Sequence, residues 1–208
     1  AVNHTHQGET VLLLHGLFAG AWMMQPLARR LQRAGFDCVN HGYPTVSKSI
    51  TELARPIAAL LRQLDQRSDV HALHAVTHSM GGIMLRQAVA YYQPSKLRRV
   101  VMLAPPNAGS HIARLVRPLV GRLIRPIAEM ADADDSLVRA LPAVPGAQVG
   151  VIAASWDMLV PHACTHLPGQ VEHITLRASH VSLPFQRKVA ECVLAFLAGG
   201  AFAQPTLE

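Results

Sequence analysis

The sequence predicts an α/β domain: a six-stranded, mostly parallel sheet flanked by helices on both faces. Three observations predict it. Short apolar runs alternate with longer stretches of helical periodicity, Gly, Pro or Asn punctuates the junctions, and no repeat or low-complexity segment competes with that rhythm. A chain of 208 residues, half of them hydrophobic, is long enough for one domain with a substantial core. Right-handed crossovers then bring the C-terminal ends of all the strands to one edge, where open α/β sheets build their sites.

Each element has its own local reason. Val11-Leu12-Leu13-Leu14 is a buried-strand run closed by His15-Gly16. A helical stretch follows from about Pro26, a favoured first-turn residue, to Gly35, a favoured stop. Phe36 to Tyr43 reads as the second strand. Ser49 and Glu52 have the spacing of a capping box, opening a helix whose apolar face carries Leu53, Ile57, Leu60, Leu61 and Leu64. Val70 to Thr77 is the third strand, Met80 to Tyr92 a helix stopped by Pro94, and Arg99 to Ala104 the fourth strand. Gly150 to Ser155 and His173 to Ser179 supply the last two strands, and a final helix runs from about Pro184 to Gly199.

The stretch from Ser110 to about Pro145 breaks the rhythm. Ile112, Leu115, Val116, Leu119, Leu123 and Ile127 recur at helical spacing, with Arg114, Arg117, Arg122 and Arg125 on the opposite face and Pro118 and Pro126 to divide it. Two readings stand: a cap-like insertion over a pocket, or an ordinary amphipathic surface helix.

Composition excludes several classes. Half the residues are hydrophobic and only 15% charged, which is too apolar for a disordered chain. The longest apolar runs fall short of the ~18 residues of a membrane span. Net charge is +6, mostly from Arg, but no long basic run supports a nucleic-acid partner, and none is expected. Three cysteines, Cys38, Cys164 and Cys192, are an odd number without metal-finger spacing, which argues against a disulfide scaffold and leans toward a cytoplasmic home. No charged-then-apolar leader is present; Ala1 fits removal of an initiator Met or of a trimmed leader, and Leu207-Glu208 looks like a cloning remnant.

Thr77-His78-Ser79-Met80-Gly81-Gly82 carries the most chemical information. It joins a predicted strand to a predicted helix, the context a nucleophile elbow requires. Such a turn presents the Ser79 hydroxyl at the sheet edge, with the positive end of the following helix aimed at developing negative charge.

Together with VLLLHGLFAG at 11–20, APPNAGS at 104–110, DMLVP at 157–161 and His180, this stretch resembles the α/β-hydrolase superfamily, and within it small bacterial lipases and carboxylesterases. The likeness spans nearly the whole chain in the family's order of nucleophile, acid and histidine. One position departs: Thr77 stands where the family's G-x-S-x-G begins with Gly.

The resemblance implies roles for particular residues. A serine hydroxyl needs a base within hydrogen-bond reach, and of twelve histidines the resemblance points to His180, just after the last predicted strand. His78 adjoins the nucleophile in sequence, but the elbow turns its side chain away; His15 is expected to prop the first loop. Of seven aspartates, Asp157 alone follows a late strand ahead of that histidine, and its setting is similar to the family's acid loop; Glu172 is the fallback. The oxyanion donors are expected to be the backbone N–H of Met80 and, by resemblance, of Leu17. Phe18, Leu159, Val160 and Val181 are expected at the pocket mouth and favour an acyl chain over a sugar or phosphate. His162 and His166 flank Cys164 and invite a metal reading, but loop histidines are usually solvated and no acidic ligand matches, so neither metal nor cofactor is expected.

The resemblance therefore implies a serine hydrolase that cleaves carboxylic esters, small or lipid, through an acyl-enzyme on Ser79. Two alternatives remain open. One is an acyltransferase or thioesterase using the same residues. The other, from a different class, is a membrane-surface or anionic-partner binding module resting on the Arg face of residues 114–125.

Overall fold

Alternate side chains of the first strand point to opposite cores. Leu12 and Leu14 pack among one group of buried residues, Val11 and Leu13 among another, and all four are fully buried. A strand apolar on both faces has to sit inside a sheet covered on both sides.

The computed structural model describes residues 6–109, 129 and 137–203, and within them the element order is as follows. β1 (Glu9–Leu14), α1 (Ala21–Arg33), β2 (Asp37–His41), α2 (Ile50–Gln66), β3 (Ala72–His78), α3 (Met80–Tyr91) and β4 (Leu97–Leu103) form the first half. α4 (Leu137–Ala140), β5 (Gln148–Trp156), α5 (His162–Thr165), β6 (Glu172–Ser179), a 3-10 turn (Leu183–Phe185) and α6 (Arg187–Gly199) form the second. The sheet runs β2-β1-β3-β4-β5-β6 and every neighbouring pair is parallel. α2 and α3 cover one face, packing Leu53, Ile57, Leu61 and Ile83 onto Leu12, Leu73, Ala75 and Met102. α1 and α6 cover the other, packing Leu27, Leu31, Val193 and Phe196 onto Val11, Val76, Val101 and Ile152. Among the described residues no helix is long and apolar enough to cross a membrane.

Two helix starts differ from the sequence reading. α1 begins at Ala21 and contains Pro26 in its interior. A tertiary contact favours the extra turn, because Asn40 on β2 donates from Nδ2 to the Ala21 carbonyl at 2.7 Å and to Gln25 Oε1 at 3.0 Å. Pro184 belongs to the separate 3-10 turn, and the last helix opens only at Arg187. The capping box of α2 forms as the sequence implies, with Ser49 Oγ accepting from the Glu52 amide and Glu52 Oε2 from the Ser49 amide.

Most of the expected cap-like insertion over 110–145, including its Arg face and Asp132, Asp134 and Asp135, lies outside the described residues. Its C-terminal end belongs to the core: Val138, Leu141 and Val144 are buried with the α2 and α3 side chains. Arg86 of α3 reaches both ends of this excursion. Its buried guanidinium donates to the Asn107 carbonyl on one side and to the Leu141 and Pro142 carbonyls on the other. Burial pushes the Arg86 guanidinium down to about 10, still charged at neutral pH.

Candidate active site

β1 and β3 lie side by side although β2 intervenes in sequence, so the strand order reverses direction between them. The chain leaving β1 and the chain leaving β3 meet there, at the C-terminal edge of the sheet. Ser79 occupies the turn from β3 into α3 with φ 52° and ψ −125°. A non-glycine residue held there costs about 1–3 kcal/mol, which surrounding structure must offset. Its amide donates to the Leu103 carbonyl on β4 at 2.8 Å, anchoring the turn to the neighbouring strand. A Cβ at Gly81 would lie 2.5 Å from the Leu14 carbonyl oxygen and 2.8 Å from that of His15, so only glycine lets the first turn of α3 approach β1 this closely. Thr77, in place of the family's first glycine, is fully buried inside β3 and the turn forms regardless, although its hydroxyl finds no partner.

The structure brings Ser79, His180 and Asp157 into one hydrogen-bonded series. His180 follows β6, and its Nε2 lies 2.9 Å from Ser79 Oγ. Its Nδ1 lies 2.7 Å from Oδ2 of Asp157, which follows β5. The second oxygen, Oδ1, accepts from the Leu159 and Val160 amides at 2.9 and 2.8 Å, which fixes the carboxylate plane. Burial alone would raise the Asp157 pKa; the hydrogen bond and charge of His180, with the two amides, outweigh it and hold the carboxyl below its ordinary value.

Sequence reading leaves His78 without a task, and the structure supplies one. Its ring is buried, and Nε2–H donates to the His180 backbone carbonyl at 2.9 Å. Burial first, then the neighbouring His180, push its pKa down to about 3, so it is neutral. His15 props the first loop as expected. Its Nδ1–H donates to the Gly16 carbonyl at 2.9 Å, its Nε2 accepts from the Tyr43 amide at 3.2 Å, and its ring stacks on Tyr43.

Gly16 presses that loop against the nucleophile: a Cβ there would sit 3.0 Å from Ser79 Cβ. The Phe18 amide is engaged by Thr45 Oγ1 at 3.1 Å, so Leu17 supplies the amide next after Gly16. Met80 opens α3, where helix N–H groups lack intrahelical partners. Of the expected mouth residues, Phe18, Leu159 and Val181 are exposed. Val160 differs. Its side chain is 3% exposed and belongs to the packed interior, so its amide, not its side chain, serves the site. Trp156 and Met158, exposed beside Asp157, were not singled out by sequence, although their position next to a candidate acid was a usable signal. Glu172 is at the opposite end of β6 from His180, accepting from the Phe202 amide at 2.6 Å, and does not reach the series.

The suggested trio around Cys164 does not form. Cys164 is buried, while His162 and His166 meet His173 of β6 instead, one ligand nitrogen from each lying within 4.8 Å of the others.

Comparison with known proteins agrees with this architecture. The family model for the alpha/beta hydrolase fold matches residues 9–156. A search of curated protein sequences finds no match. Among solved structures, the mature lipase of Bacillus licheniformis superposes with a TM-score of 0.73 at 16% identity, over 96% of this chain and 94% of that one. Lipase B of Aspergillus fumigatus gives 0.78 at 15% identity, over 95% and 54%. A metagenomic carboxyl esterase gives 0.67 at 16% identity, over 88% and 68%. At such identities the likeness is one of fold. With the parallel sheet, the strained serine turn at its reversal point and a family match across most of its length, the chain belongs to the alpha/beta hydrolase fold family.

Proposed function

We propose that this chain is a serine hydrolase of carboxylic esters working through an acyl-enzyme on Ser79. The observation that carries the reading is the unbroken series from Ser79 Oγ through His180 to Asp157, at 2.9 and 2.7 Å. In this arrangement His180 Nε2 takes the Ser79 proton as Oγ attacks the ester carbonyl, then delivers it to the departing alcohol. Asp157 holds Nδ1–H, selecting the tautomer whose Nε2 lone pair faces the serine and stabilising the imidazolium that forms. The Leu17 and Met80 backbone N–H groups donate to the oxyanion of the tetrahedral intermediate. In the second half His180 draws a proton from water, the resulting hydroxide attacks the acyl carbon, and Ser79 leaves with that proton.

The exposed apolar side chains beside the series, Phe18, Met158, Leu159 and Val181, support an acyl chain as the recognised portion. Likeness in fold to lipases and a carboxyl esterase is consistent with this and does not select a substrate. The test is hydrolysis of p-nitrophenyl esters from acetyl to palmitoyl by wild type and by Ser79→Ala. Loss of about 10⁴-fold or more in kcat with unchanged folding is expected. Equal turnover by both proteins would overturn the assignment of Ser79, and the chain-length optimum separates an esterase from a lipase.

A further inference from the structure

We propose that His162, His166 and His173 bind one divalent transition-metal ion, of which Zn²⁺ is the working example, at a site separate from Ser79 that fastens α5 to the edge strand β6. The three residues come from different local structures. His162 opens α5, His166 ends it four residues later, and His173 is the second residue of β6. Spacing i, i+4 turns the first two to one side, and the pairing of β5 with β6, which sets His173 beside Val151, brings the third to meet them.

The imidazoles are closely gathered. Ring centroids of His166 and His173 are 4.0 Å apart and nearly parallel, and His162 stands edge-on to both at 5.2 and 4.8 Å. One ligand nitrogen of each lies within 4.8 Å of the others. Tetrahedral zinc with Zn–N near 2.0–2.1 Å needs nitrogens about 3.4 Å apart, so side-chain rotations of about 1.4 Å or less complete the site.

Thr165 orients the His173 ring as an outer ligand of a metal histidine does. Thr165 Oγ1 gives its own proton to the His162 carbonyl at 2.7 Å, so it must accept from His173 Nε2–H at 2.8 Å. That fixes the His173 tautomer and leaves Nδ1 as the nitrogen with a lone pair. Thr175 Oγ1 lies 3.1 Å from His162 Nε2, while Gln170 Nε2–H donates to His166 Nδ1 at 3.0 Å, so an ion held at that nitrogen displaces the Gln170 amide. An all-imidazole set selects Zn²⁺, Cu²⁺, Ni²⁺ or Co²⁺ over Mg²⁺ and Ca²⁺, which require oxygen ligands. His162 and His166 are exposed, so solvent supplies the fourth ligand. The site also bridges two consequential segments: α5 begins shortly after Asp157, and β6 ends immediately before His180.

The experiment is calorimetric titration of the tag-free, chelator-treated chain with ZnCl₂, alongside thermal unfolding and Co²⁺ absorption spectra. One equivalent is expected to bind with micromolar or tighter affinity. Tm should rise by several degrees in excess Zn²⁺ and stay unchanged in Ca²⁺. His173→Gln should weaken binding at least 30-fold. His162→Gln/His166→Gln, which alters only exposed side chains, should abolish it while keeping the fold, and exposed His71→Gln should have no effect. Binding that survives in the double variant, or that requires millimolar Zn²⁺ in the wild type, overturns the proposal. The readouts are independent of ester turnover.

Discussion

His78 Nε2–H donates to the backbone carbonyl of His180 at 2.9 Å, so the residue just before Ser79 in sequence holds the main chain of the residue facing Ser79 in space. The two imidazole centroids are 5.0 Å apart. Replacing His78 with Leu removes the donor and leaves a buried carbonyl unpaired. We expect kcat for p-nitrophenyl butyrate to fall by about tenfold to a hundredfold with a smaller change in KM, since small displacements of a reacting group are costly. An unchanged kcat in a folded variant would sever the link between this bond and the reaction.

Acid should unfold the protein through histidines rather than carboxylates first. Burial leads the causes that push His78 down to about 3 and His173 to about 4, and it also lowers His15, His41 and His74. A histidine whose folded pKa is depressed contributes full stability above its unfolded value, ~6.5, and that stability is lost as pH falls toward the folded value, because the unfolded chain takes up the proton first. Urea unfolding should therefore weaken progressively from pH 6.5 downward. His78→Gln should flatten the slope by up to about 1.4 kcal/mol per pH unit between pH 6 and 4. Asp157 acts with the same sign in a lower window, beginning near its unfolded value of ~3.9.

Asp157→Asn keeps the shape of the loop, because the amide oxygen can still accept from Leu159 and Val160. It cannot hold Nδ1–H of His180 as a charged acceptor. We expect a loss of about 10³–10⁴ in kcat with Tm nearly unchanged. Asp157→Ala should lose activity similarly and destabilise as well, so the pair separates orientation of the base from support of the loop.

Two glycines at the site should respond differently. Gly81→Ala drives a methyl against the Leu14 and His15 carbonyl oxygens at 2.5 and 2.8 Å, and backbone on both sides leaves little relief. Destabilisation of about 2–4 kcal/mol is expected by denaturant titration. Gly16→Ala meets Ser79 Cβ at 3.0 Å and His78 Nδ1 at 3.2 Å, a tighter than usual contact that a small shift of the loop can absorb. Its effect should appear in kcat, through displacement of the proposed oxyanion donors, more than in Tm.

Much of this was legible in the sequence, for local reasons. The strand-turn-helix setting of Ser79 and the capping box at Ser49 are written in neighbouring residues, as is the apolar alternation of Val11–Leu14. Asp157 and His180 could be named because each follows a predicted strand at a place where the resemblance puts the acid and the histidine. What escaped depends on register and long-range contact. The support of His180 by His78 spans 102 positions. The meeting of His173 with His162 and His166 is set by the pairing of β5 with β6, which no spacing reveals. The early start of α1 rests on Asn40 of another strand. Arg86 left a trace: an arginine within the apolar run Ile83–Val89 announces a buried charge that must find carbonyls.

The Arg86 guanidinium has a consequence for how such a chain can be remodelled. By gripping the Asn107 carbonyl and those of Leu141 and Pro142 at once, it closes a ring whose seal lies within the folded body. Whatever length of polypeptide connects those two points, the sheet receives it at the same two addresses. Doubling such a loop adds only about 0.6 kcal/mol of closure entropy. Arg86 thus ties both ends of the excursion to α3, so that a change in the length between them leaves its two points of departure, and the strands beside them, in place.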